Sequence, residues 1–113
     1  VACFDPASSA GVFAFVVDSR GDWAIEANSN GPYLRDVATG LTSARSPVVS
    51  GSCSAGPGAA SRLILRIGAV QVASVTATEA HPAHWNGGVC VITTAGWAVA
   101  VFTFSDFSIT RLA

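Results

Sequence analysis

The sequence predicts an all-β fold, and three observations carry that expectation. Short runs rich in β-branched and aromatic residues recur along the chain, separated by dense turn clusters. Eleven glycines and five prolines supply the punctuation that many short strands require. Nowhere does an apolar period of 3.6 residues persist over the ten or so residues that define a helix. Seven or eight short strands on one chain predict an antiparallel β-sandwich or jelly roll, two sheets burying their inner faces against each other. No internal repeat points to a propeller or solenoid.

The elements follow in order. Gly11 to Val17 (GVFAFVV) reads as a strand, Asp18-Ser19-Arg20-Gly21-Asp22 as a turn, and Trp23 to Ala27 as the returning strand of a hairpin. Asn28 to Pro32 is a second turn cluster, followed by a strand around Tyr33 to Val37 and a polar connection from Thr39 to Pro47. From Arg62 the alternation is clear: Leu63, Leu65 and Ile67 point one way, toward a core, and Arg62, Ile64 and Arg66 the other, toward a partly wet face. Gly68-Ala69 turns this strand into Val70 to Thr76, a second hairpin. After a loop over Glu79 to Gly88, strands are expected at Val89 to Thr93 and Trp97 to Phe104, with Asp106 to Arg111 closing the chain.

At 113 residues the chain fits one domain, 1–113, large enough to bury about two-thirds of the surface its unfolded chain exposes. Half the residues are apolar and 12% are charged, which argues against disorder. Six arginines oppose seven acids for a net charge of −1, so no basic face exists to neutralise a run of phosphates, and nucleic acid is not an expected partner. The longest apolar runs are strand-sized and fall short of the ~20 residues that span a bilayer. The chain begins at Val1 and holds no methionine, as a trimmed or processed chain would.

Four stretches resemble concanavalin A-like, laminin-G-like β-sandwich domains of bacterial secreted or membrane-anchored extracytoplasmic proteins. They are Gly11 to Phe15 running into Asp18 to Ile25, Ser61 to Ala69, Gln71 to Val75, and Phe104 to Ile109. These are similar to the family's opening hairpin, its strand ending in Asn-Gly, its following strand, and its closing strand with a double aspartate. Here Ile67-Gly68 stands where the family has Asn-Gly, and Ser105-Asp106 where it has two aspartates. Such domains carry further N-terminal strands, so the resemblance implies a concanavalin-like jelly roll lacking its first strands or completing them with a partner. It also implies a secreted or surface-tethered location.

Cys3, Cys53 and Cys90 form no C-x-x-C pair, which removes the usual zinc-ribbon and thioredoxin-like readings. The resembling family places cysteines near Cys3 and Cys53 on strands that lie side by side, which implies a Cys3–Cys53 disulfide. The alternative is three reduced cysteines buried as small hydrophobes, and the apolar run Val89 to Ile92 suits Cys90 to that role on either view.

Catalytic and metal chemistry find little purchase. Glycosidases set two carboxylates across the scissile bond, whereas Glu26 and Glu79 are far apart and in no such motif. No serine lies in a G-x-S-x-G elbow. His81 and His84, with Glu79 nearby, read as exposed loop residues before they read as metal ligands. Asp18 and Asp22 read as turn formers before calcium ligands, and Arg20-Gly21-Asp22 as turn chemistry before an adhesion tripeptide. Trp97 and Asp106 read as packing and hydrogen-bonding residues. No catalytic residue, metal site or cofactor is expected.

Binding has better candidates. Trp23, Tyr33 and Trp85 are flat rings near loops, suited to stacking on the apolar faces of sugars, with Asn28, Asn30 and Asn86 close in sequence to fix hydroxyls. Against this stands a packing role, with Trp23 alternating with Ile25 into the core and Trp85 capping the domain. The expectation is a non-catalytic extracytoplasmic recognition domain for carbohydrate or cell-wall glycan. Its rivals are a structural or protein-interaction module and, third, a divergent glycan hydrolase.

Overall fold

A computed structural model describes residues 1–4, 12–28, 35–58, 60–78 and 86–88, and among these, eight strands form two antiparallel sheets. There is no helix among the described residues, and so none long and apolar enough to cross a membrane. The strands are β1 (Ala2–Phe4), β2 (Val12–Val17), β3 (Asp22–Asn28), β4 (Arg35–Leu41), β5 (Val49–Ala55), β6 (Ser61–Ile67), β7 (Val70–Ala77) and β8 (Asn86–Gly88). One sheet runs β4-β3-β2-β1-β8 and the other β5-β6-β7.

Alternation decides which residues meet between the sheets. Phe13, Phe15, Ile25 and Ala27 project from the five-stranded sheet and Leu63, Leu65 and Ala77 from the three-stranded one into a single core. Burying a Leu, Ile or Phe fully contributes roughly 1.5–3 kcal/mol over leaving it exposed, so these few side chains dominate the gain. The predicted facing of Leu63, Leu65 and Ile67 holds: all three are buried while Arg62 and Arg66 are exposed.

Both predicted hairpins form. In the β2–β3 turn Gly21 adopts φ 94°, and the Asp18 carboxylate Oδ1 accepts from the amides of Arg20 at 2.8 Å and Asp22 at 3.1 Å. In the β6–β7 turn Gly68 adopts φ 59° and donates to the Val48 carbonyl at 2.8 Å. Each outermost partner carries a β-bulge: Val37 is the extra residue of β4 between the Ile25–Ala38 and Glu26–Asp36 pairs. Val72 is the extra residue of β7 between the Leu65–Ala73 and Arg66–Gln71 pairs. Both valines pack against the core.

Cys3 on β1 and Cys53 on β5 are joined by a disulfide. The two strands lie in different sheets, so the bond ties sheet to sheet. Closing a loop over a sequence separation of 50 contributes about 4 kcal/mol in the chain-entropy model.

Three boundaries differ from expectation. The polar connection expected from Thr39 begins only after Leu41, because β4 continues through Gly40, whose lack of a side chain admits the Trp23 indole. The sequence reading placed no strand at β5, a run of small residues. The reason for their size is close approach: a Cβ on Gly51 would lie 2.7 Å from Phe15 Cε2. The loop expected over Glu79 to Gly88 ends in β8, where Asn86–Gly88 pairs with β1 despite poor strand propensity. The strands expected at Val89 to Thr93, Trp97 to Phe104 and Asp106 to Arg111 lie outside the described residues.

Candidate functional site

Trp23 is half-buried and packs against the core cluster. Its register partner on β4 is Gly40, and a Cβ there would stand 2.6 Å from the indole Cζ2. The ring therefore lies across the glycine of the neighbouring strand, filling the space a side chain would otherwise occupy.

Asn28 and Asn86 are brought into one row. Asn28 pairs with Val12, Val12 with Phe4, and Phe4 with Asn86, so the two asparagines stand three strand spacings apart, about 14 Å. Asn28 follows the core residue Ala27 on β3, so its side chain lies on the face of the five-stranded sheet turned away from the shared core. Tyr33, Trp85, Asn30, Glu79, His81, His84, Cys90, Trp97 and Asp106 lie outside the described residues.

On that same face Glu26 pairs with Asp36 across β3 and β4, and their carboxyls share a hydrogen bond. Burial pushes the Glu26 carboxyl above its ordinary value, and the Asp36 charge and hydrogen bond push it the same way. Glu26 Oε2 and Asn28 Oδ1 are buried without a hydrogen-bond partner. The Glu26–Asp36 pair is not legible in the sequence, because the Val37 bulge shifts the register by one and sets Asp36, not Val37, opposite Glu26.

The acids of the β2–β3 turn are engaged locally. Asp18 Oδ2 accepts from Arg20 Nη2 at 3.1 Å, and Arg20 Nε stands 3.5 Å from Asp22 Oδ2. Desolvation pushes the Asp18 carboxyl up, but the Arg20 and Asp22 amides and the Arg20 guanidinium outweigh it and hold it below its ordinary value. No group of three His, Cys, Asp or Glu suited to a metal occurs among the described residues.

The outer face of the three-stranded sheet is open and regular. Down its central strand run Arg62, Ile64 and Arg66; Ser54, Ser52 and Ser50 stand opposite them on β5. Thr76, Ser74 and Gln71 stand opposite them on β7. Both arginines are exposed, as are Ser50, Gln71, Ser74 and Thr76, while Ile64 is half-buried between its serines. Arg66 Nη2 donates to Gln71 Oε1 at 3.3 Å. Neither arginine has a carboxylate within ion-pair distance among the described residues. The described acids, Asp18, Asp22, Glu26 and Asp36, all belong to β3, β4 or the turn before them. The arrangement offers hydroxyl, amide and guanidinium groups around one apolar spot on a flat surface.

No family model matches this chain, and neither a curated protein nor a solved structure does.

Proposed function

We propose that this chain is a non-catalytic recognition domain of an extracytoplasmic protein, built as a concanavalin-like jelly-roll sandwich, and that it binds carbohydrate. The carrying observation is the open polar face of the three-stranded sheet, where hydroxyl and amide side chains flank the half-buried Ile64. Sugars present hydroxyl rims and apolar C–H faces, and that grid meets both. The Cys3–Cys53 bond favours an oxidising compartment. Asn28, Asn86, Tyr33 and Trp85 remain a second group of candidate contacts.

Isothermal titration calorimetry against a panel of neutral and acidic cell-wall and storage glycans tests the reading. Saturable heat from at least one glycan is expected. A flat response from every glycan contradicts it and favours a structural or protein-interaction module. Two observations support that second reading: Trp23 is committed to packing, and Val48 and Val70 are exposed beside the β6–β7 turn.

A further inference from the structure

The outer face of the three-stranded sheet combines two features that the general reading of carbohydrate binding leaves unused. Among the described residues its charges are cationic, Arg62 and Arg66, and they are set apart by four residues on one strand. At ~3.3 Å rise per residue that places their backbones about 13 Å apart. Duplex nucleic acid, by contrast, carries a charge about every 1.7 Å. Two isolated guanidiniums with hydroxyl-bearing side chains between them suit a polymer whose charges are sparse and whose intervening groups are neutral and hydroxylated.

We propose that this face binds an acidic polysaccharide with carboxylates spaced along its chain, Arg62 and Arg66 each taking one carboxylate. The inference rests on the carbohydrate reading above and deepens it. Guanidinium presents a planar fork that matches a carboxylate with two parallel hydrogen bonds, which makes arginine more selective here than a point charge. Arg66 is held toward β7 by its bond to Gln71, so one fork is already oriented. Ile64 supplies the apolar contact midway, and Ser52 and Ser74 on either side of it meet hydroxyls of the intervening sugar. The described acids are segregated to the other sheet and its turn, so no described acid stands on this face beside the pair. Since both arginines are exposed, replacing them leaves the core untouched.

The test uses hyaluronan oligosaccharides, which carry a carboxylate on every second sugar, with dextran as neutral glycan and polyglutamate as a carboxylate polymer without sugar. Calorimetry compares the disulfide-intact protein with Arg62→Gln, Arg66→Gln and the double variant, and circular dichroism checks that each variant is folded. Saturable hyaluronan binding that weakens at least tenfold in the double variant, and also weakens with added salt, is the expected result. Arg62→Lys keeps the charge without the fork and is expected to fall between the wild type and Arg62→Gln. Hyaluronan binding that the double variant leaves unchanged would overturn the assignment of this face. Equal binding of polyglutamate would overturn the sugar component in favour of an acidic protein partner. Binding of dextran but not hyaluronan overturns this inference and leaves the carbohydrate reading standing. Silence from both glycans overturns this inference, while the carbohydrate reading falls only if the wider glycan panel is silent as well.

Discussion

Glu26 and Trp23 lie on the same strand and show what a residue's neighbours across the sheet decide. Trp23 alternates with Ile25, and that period alone already offered a packing role beside the ring-stacking one; the missing side chain of Gly40 is what gives its indole a place. Glu26 gave no such clue, since its partner depends on a bulge that no local pattern announces. Its raised pKa has a consequence for stability. A carboxyl whose folded-state pKa lies above its unfolded value binds its proton more tightly in the fold. Its contribution is therefore complete below the unfolded value and is lost as pH rises through the folded one. Asp18 works in the opposite sense: its lowered pKa contributes above the unfolded value and is lost as pH falls. Urea denaturation from pH 4 to pH 7 separates the two. Glu26→Gln is expected to flatten the decline toward neutral pH and to raise stability at pH 7. A variant as pH-dependent as the wild type there would contradict the pairing with Asp36.

At the scale of elements, legibility followed side-chain size. β6 and β7 were readable because large apolar residues alternate with polar ones, and the β2–β3 hairpin because aromatic strands flank a turn rich in Asp and Gly. β5 was not, because the sheet approaches Phe15 so closely that Gly51 has no room for a side chain, and smallness erases the apolar signal. β8 is three residues held by pairing with β1, a tertiary cause that its own sequence does not carry. The strand expected around Tyr33 to Val37 runs on to Leu41 because the stretch from Thr39, which reads as a polar connection, includes Gly40, where Trp23 lies. Gly40→Val is accordingly expected to cost about 1–3 kcal/mol through overpacking and to shift tryptophan emission to the red as the indole is displaced. Unchanged stability and emission would show that the ring does not rest there.

For the whole molecule, the two sheets share one apolar core, are tied by Cys3–Cys53, and carry different outer faces. The described acids gather on one side, while the charges that the described residues of the three-stranded sheet present are arginines, set among hydroxyl and amide side chains. The polar facing of Arg62 and Arg66 is legible through alternation, but the surface they help to form is not, since the flanking serines belong to β5, whose small residues carry no strand signal. Aromatic rings drew attention instead, and the one among them that is described, Trp23, is used in packing. The proposed recognition surface is tested most directly by hydrogen exchange of the disulfide-intact chain with and without saturating hyaluronan oligosaccharide. Slower exchange confined to residues 49–77 is the result this account predicts. Protection concentrated in residues 22–28 and 86–88, with 49–77 unchanged, would contradict it.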